Sequence, residues 1–207
     1  MRYHLSWQSF WRPRSPELRS RAAAVPADRF EGRPPRGLRL LPGFVSASEQ
    51  EEIAAWIETH VTWSCGTSQG NRLETWVEPR RPLPDWSRVL GARMIEQGIF
   101  DEPPDYLHLI HYEAGRGIAL HMDHECLGTA VAGLTLKSSR VFEFTRARHP
   151  PVRVLLLPGD LYVIAGEARY RWEHGVPRTR VDRFRGRDYE RTDGLSLSWR
   201  RVIPDAQ

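Results

Sequence analysis

Lysine is nearly missing from this chain. Lys137 stands alone among 30 basic residues, and every other basic position is arginine. A base-composition bias of the coding sequence produces such a skew, but the skew has a physical consequence too. The arginine guanidinium is planar and meets carboxylates or phosphates in a two-pronged fork. With 26 acidic residues interspersed, the net charge is only +4. That modest surplus suits a polyanionic partner without requiring one. Cysteine is scarce as well: Cys65 and Cys126 are the only two, and neither lies in a C-x-x-C pattern. This excludes a disulfide framework and a cysteine-ligated zinc, and two reduced thiols are expected. No run of roughly 18 uncharged apolar residues occurs, and the mean hydropathy is −0.53. A bundle of membrane-spanning helices is therefore excluded. The opening stretch MRYHLSWQSFWRPR has no continuous apolar core. No secretory leader is expected there, and the cytoplasm is the expected compartment.

What is present is 207 residues, enough for one large domain with a core that needs no staples. A monomer is expected. Residues 1–36 read as an irregular arm, because Pro13, Pro16, Pro26, Pro34 and Pro35 break any helix. Trp7, Phe10 and Trp11 within it favour packing over full disorder. A domain is expected over 37–203. Gly37–Val45 reads as a strand and turn. Ser48 with Glu51 fits a capping box that opens a helix to about His60, with Ile53, Trp56 and Ile57 at helical spacing. A second helix is predicted from Pro84 to Gln97, with Val89, Met94 and Ile95 as its apolar stripe. After Pro104 the pattern shortens. Strands are predicted at Tyr106–His111, Ile118–His121, Ala130–Leu136, Val141–Thr145, Val152–Leu157, Leu161–Ala165 and Leu195–Val202. Many short strands punctuated by Gly and Pro argue a sandwich or barrel. The expected class is α+β, mainly β, with the helices placed before the strands.

The chemistry concentrates in His121-Met122-Asp123. On extended backbone, residues two apart project to one face, so a histidine and a carboxylate can reach one metal. Two histidines and one carboxylate on one side of a metal leave its other positions open, as oxygen-activating non-haem iron sites require. His174, in RWEHGVP, is the candidate third ligand. His108, His111, His124 and His149 keep an ordinary structural or solvated reading. H-x-D alone is a common chance pattern.

The surrounding text narrows the field. Tyr112–Asp123 (YEAGRGIALHMD), Pro158–Gly175 (PGDLYVIAGEARYRWEHG) and Leu195–Arg200 (LSLSWR) are three ordered blocks. They resemble the AlkB-like dioxygenases, and their wording is similar to the branch that includes the animal tRNA wobble-uridine hydroxylase. The resemblance covers about 37–203. It implies a double-stranded β-helix, or jelly roll, with the helices packed on one sheet. It implies iron(II), 2-oxoglutarate and O2, with 2-oxoglutarate decarboxylated to succinate as a substrate C–H bond is hydroxylated. It implies that His121, Asp123 and His174 hold the iron. By the same resemblance Tyr112 hydrogen-bonds the co-substrate and Arg200 meets its carboxylates. Glu125 falls where some nucleobase-demethylating members have an acid that contacts the flipped base, and Arg169 matches a family arginine near the site, which either orients substrate or pairs with Glu167.

Two positions depart from the family pattern. Ile110 replaces an asparagine, and Gly194 replaces the first of two closing-strand arginines, the one that pairs with the distal carboxylate of 2-oxoglutarate. A buried carboxylate without a partner is costly, so Arg191 or Lys137 is expected to take over. Family substrates include alkylated DNA and RNA bases, tRNA wobble nucleosides and proteins. Thr62–Arg81, with Trp63, Arg72, Trp76, Arg80 and Arg81, falls where the family keeps its substrate-recognition lid. Trp76 is expected to stack on a base. The run Arg178–Arg191 is either a phosphate grip or a solvated charge run. The expected partner is a nucleic acid presenting a flipped or single-stranded base. An oxygenase of a protein or small molecule stays open, as does a catalytically impaired metal-binding jelly roll.

Overall fold

The structure, a computed structural model, describes residues 27–65, 73–77 and 82–202, with backbone alone at 65 and 73–77. Most of the expected N-terminal arm and the Arg72, Arg80 and Arg81 part of the expected lid lie outside the described residues. So does the side chain of Trp76.

Two antiparallel sheets face each other. The strands are β1 (Phe30–Glu31), β2 (Leu38–Leu41), β3 (Ser64–Cys65), β4 (Leu73–Val77), β5 (Tyr106–Tyr112), β6 (Ile118–His121) and β7 (Ala130–Leu136). They continue with β8 (Arg140–Thr145), β9 (Val152–Leu156), β10 (Leu161–Ala165), β11 (Glu173–Val176), β12 (Val181–Phe184), β13 (Arg187–Glu190) and β14 (Gly194–Arg200). One sheet runs β1-β9-β8-β11-β6. The other runs β2-β10-β7-β14-β5-β4-β3. From β5 onward the chain shuttles between the two sheets, which is the double-stranded β-helix expected from the resemblance. β1 pairs with β9, so the sheet begins ahead of the expected start at residue 37.

Side-chain alternation divides the seven-stranded sheet into two faces. Its outer face carries Leu107 and Leu109 of β5, Ala132, Leu134 and Leu136 of β7, and Leu195, Leu197 and Trp199 of β14. Two helices cover it: α1 (Ala47–His60) through Ile53 and Ile57, and α2 (Asp85–Glu96) through Trp86, Leu90 and Met94. The apolar stripe of α2 is therefore Trp86-Leu90-Met94, while Val89 and Ile95 are only half-buried. Trp86 sets this face, because its ring meets Trp199 edge-on at 6.1 Å. The Trp199 indole N–H donates to buried Ser87 Oγ of α2 at 2.7 Å, which fixes the helix to the sheet. The α1 cap is Ser46 with Glu49, not Ser48 with Glu51. Both pairs fit Ser-x-x-Glu. Val45 is buried at 2% exposure, so the chain must turn immediately after it, and the upstream pair takes the cap.

Between the sheets lies a second core that includes Ile110, Phe142, Phe144, Val154, Leu156 and Ile164. Gly133 of β7 permits close approach there: a Cβ on it would lie 2.1 Å from the Tyr162 ring. The run Arg178–Arg191 is no simple loop. β12 and β13 form a hairpin whose Phe184 packs on Val141 and Leu155, on the outer face of the five-stranded sheet. No helix among the described residues is long and apolar enough to cross a membrane.

Candidate active site

The jelly roll brings His121, Asp123 and His174 together, with one ligand atom from each lying within 4.8 Å of the others. His121 ends β6, Asp123 follows in the next turn, and His174 sits on β11 directly across from His121. The two imidazole centroids are 4.6 Å apart. His174 Nε2 lies 3.6 Å from Asp123 Oδ2, and His121 Nε2 lies 3.9 Å from Asp123 Oδ1. His121 Nδ1 lies 2.9 Å from the Ala119 carbonyl. Donation there leaves Nε2 with its lone pair for a metal. Asp123 Oδ2 is buried and has no hydrogen-bond partner. Two imidazoles and one carboxylate, with an unsatisfied buried oxygen at their centre, fit iron(II).

Electrostatics prepare these donors. Burial works against the Asp123 carboxylate, but Arg200, His174, His121 and Arg169 together outweigh it and hold its pKa below the usual value. The largest of these is Arg200, whose Nη2 donates to Asp123 Oδ1 at 3.0 Å. Burial lowers the His174 pKa to about 4 against an ordinary 6.5. His174 is therefore neutral and able to ligate at neutral pH. The sign of the pH effect follows. Between about pH 6.5 and 4 the unfolded chain protonates His174 and the folded, metal-free chain does not. Stability of the metal-free protein is thus expected to fall as pH drops through that window, by roughly 3 kcal/mol from this group. Below it, protonation of Asp123 removes more. Melting temperature against pH, for wild type and His174→Gln, checks this. An equally steep decline in the variant would contradict it.

A cavity of about 350 Å³ runs inward from the triad. Its rim is exposed at Met122 and His124. Its walls are apolar, with Ile110, Ile118, Phe142, Leu156, Ile164 and Val176. Along β14 the inward positions are Gly194, Ser196, Ser198 and Arg200, and opposite them on β5 stand Tyr112, Ile110, His108 and Tyr106. Tyr112 is buried at 6% exposure and lines the cavity, as does Arg200.

Other expected site residues lie elsewhere. Lys137 takes a left-handed backbone conformation at the end of β7 and pairs with Glu58 of α1 on the surface, so it does not point into the cavity. Arg191 is buried, but its guanidinium grips the Asp182 carboxylate at both oxygens and donates to the Pro177 carbonyl at 2.6 Å. Neither replaces the missing arginine as expected. Arg169 is only 1% exposed and does not line the cavity. It donates to the carbonyls of Asp123 at 2.7 Å and His124 at 2.6 Å, pinning the turn that carries the metal-binding carboxylate. Its suggested partner Glu167 pairs with Arg146 instead. Glu125 is exposed in a 3-10 turn and does not line the cavity. Trp63 packs against the helix-covered core.

Sequence reasoning missed His108, Tyr162, Ser196, Ser198 and above all Arg140, all of which line the cavity. For Arg140 a signal existed. Arg140, Phe142 and Phe144 alternate on one strand, so the arginine shares the inward face of the two phenylalanines.

Comparisons with known proteins agree with this geometry. A family model described as the 2OG-Fe(II) oxygenase superfamily matches residues 60–200. The tRNA (carboxymethyluridine(34)-5-O)-methyltransferase alkbh8 of Xenopus tropicalis is 26% identical over 168 residues, covering 72% of this chain and 26% of that protein. The mitochondrial alpha-ketoglutarate-dependent dioxygenase alkB homolog 7 of Mus musculus is 33% identical over 151 residues, 66% of each chain. The structure of OsALKBH1 superposes with a TM-score of 0.62 at 17% identity, covering 82% of this chain and all of that one. That likeness concerns the fold. The chain spans 60% of the length of a relative from Acanthamoeba polyphaga mimivirus and about a quarter of the Xenopus protein. The chain belongs to the 2OG-Fe(II) oxygenase superfamily, as an AlkB-like member.

Proposed function

We propose that this chain is an iron(II)- and 2-oxoglutarate-dependent dioxygenase that oxidises an alkylated or modified base in DNA or RNA. The observation that carries the reading is the His121–Asp123–His174 cluster at the rim of a largely apolar cavity. Iron(II) bound there, with 2-oxoglutarate and dioxygen, supplies the oxidising power to place a hydroxyl on an unactivated C–H bond. The protein's own residues do the rest. Arg200 keeps Asp123 ionised and oriented, and Arg169 fixes the turn beneath it. The apolar walls exclude water from the reacting centre. Substrate reaches the triad from the side of Met122, which is 54% exposed. A base held in a stack cannot enter such a site, so it must be flipped or single-stranded. The nucleic-acid assignment draws support from the Xenopus relative, whose name places it on tRNA, and from the arginine-rich surplus of positive charge.

The test measures succinate formation with iron(II) and oxygen in the presence of tRNA, methylated single-stranded oligonucleotides, peptides or no addition. Stimulation by one nucleic acid is expected, with that nucleic acid losing a methyl group or gaining an oxygen by mass spectrometry. Stimulation by peptide alone, with no change in any nucleic acid, would move the assignment to a protein substrate.

A further inference from the structure

Arg140 is the least explained charge among the described residues. It opens β8, is 4% exposed and lines the cavity. Its Nε and Nη1 have no hydrogen-bond partner, and it forms no ion pair with a carboxylate among the described residues. Asp182 acts on it electrostatically, but Asp182 is already gripped by Arg191. A buried guanidinium with idle donors is expensive. Such a group persists where an anion arrives to complete it.

Its position says which anion. The Arg140 guanidinium lies 4.4 Å above the Tyr112 ring. Tyr112 is the cross-strand partner of Gly194. A Cβ added to Gly194 would lie 2.1 Å from Arg140 Nη2. Arg140 thus occupies the space into which a side chain at position 194 would grow, but it comes from the opposite sheet. Gly194 is small because Arg140 is there. Along β8, Phe144 stands opposite His174. Arg140 is two inward positions deeper than Phe144, about 13 Å along the strand. A five-carbon diacid and an arginine side chain together bridge that span from the metal side to the cavity floor. Arg200, at the other end of β14, is committed to Asp123.

We propose that Arg140 receives the distal carboxylate of 2-oxoglutarate, doing from β8 what an arginine at position 194 of β14 would otherwise do. This rests on the reading of the site as a 2-oxoglutarate oxygenase. The carboxylate supplies the acceptors that Nε and Nη1 lack, in the two-pronged geometry that suits a guanidinium.

The experiment measures equilibrium binding without turnover. Iron(II)-loaded protein is titrated by calorimetry, without oxygen, with 2-oxoglutarate and with 2-oxopentanoate, which has a methyl group in place of the distal carboxylate. Wild type is expected to prefer 2-oxoglutarate strongly. Arg140→Met is expected to bind 2-oxoglutarate roughly 100-fold more weakly while its affinity for 2-oxopentanoate changes little. The metal-free Arg140→Met protein is expected to melt no lower than wild type, because it has lost an uncompensated buried charge. A merely structural arginine would lower the melting temperature and weaken both ligands. The double variant Arg140→Gly, Gly194→Arg moves the cation to the other sheet and is expected to regain the preference. Survival of the preference in Arg140→Met overturns the assignment of Arg140 alone. Failure of wild type to bind either 2-oxo acid overturns the assignment together with the reading of the site.

Discussion

Asp123→Ala is expected to abolish iron(II) binding and also to destabilise the metal-free protein by roughly 3–5 kcal/mol. The second effect separates it from His121. The Asp123 and Arg200 side chains are 5% and 8% exposed and lie 3.0 Å apart. Removing the carboxylate strands a buried guanidinium and takes away a counter-charge that Arg169 and both histidines also feel. His121→Ala removes a ligand but leaves the Asp123–Arg200 pair intact. It should lose iron with a smaller loss of fold stability than Asp123→Ala, since it strands no buried charge. Chemical denaturation of the metal-free proteins, beside iron titrations of the same samples, checks both halves. Equal metal-free stability of Asp123→Ala and wild type would show that Arg200 does not depend on Asp123.

Arg191→Ala is expected to cost a similar 3–5 kcal/mol and to leave the preference for 2-oxoglutarate over 2-oxopentanoate in place. Arg191 and Asp182 are 5% and 2% exposed. Asp182 also accepts the Val141 N–H at 3.0 Å. The pair therefore closes the base of the β12–β13 hairpin, and Asp182 ties that hairpin to β8. Truncating one partner leaves the other charge buried and unpaired. Replacing both, as Asp182→Leu with Arg191→Met, should recover much of the loss, because an apolar pair needs no compensation. Loss of 2-oxoglutarate affinity in Arg191→Ala without loss of stability would return Arg191 to the co-substrate site.

The parts of this protein that could be read from its sequence are the local ones. His121 and Asp123 are two residues apart, and strand geometry alone points them the same way. Tyr112, His174 and Arg200 lie in blocks whose order and wording carry a family resemblance, and the fold brings all five to one cavity. The strands of the jelly roll show as short apolar segments between Gly and Pro, and the expected bounds of β6, β7 and β10 match those observed.

What could not be read depends on contacts across the fold. Arg140 begins its strand. With the strand expected from Val141, the arginine falls in the preceding turn, outside the alternation with Phe142 and Phe144 that marks the inward face. Its burial follows from Gly194, on another sheet and distant in sequence, and no local pattern links the two. Lys137 and Arg191 were reasonable substitutes by proximity in sequence. Lys137 fails because its backbone turns left-handed just past β7 and carries the side chain out to Glu58. Arg191 fails because Asp182, on the paired strand of a hairpin, claims it first. The α1 cap shows the same limit on a small scale. Two overlapping Ser-x-x-Glu pairs are equivalent in sequence, and only the burial of Val45 separates them.

The most direct measurement is conversion of 2-oxoglutarate to succinate under iron(II) and oxygen, in wild type and in His121→Ala. Succinate formation by wild type that requires added iron and disappears in His121→Ala is the expected result. Full iron loading of the wild type with no succinate in any condition, nucleic acids included, would contradict the account.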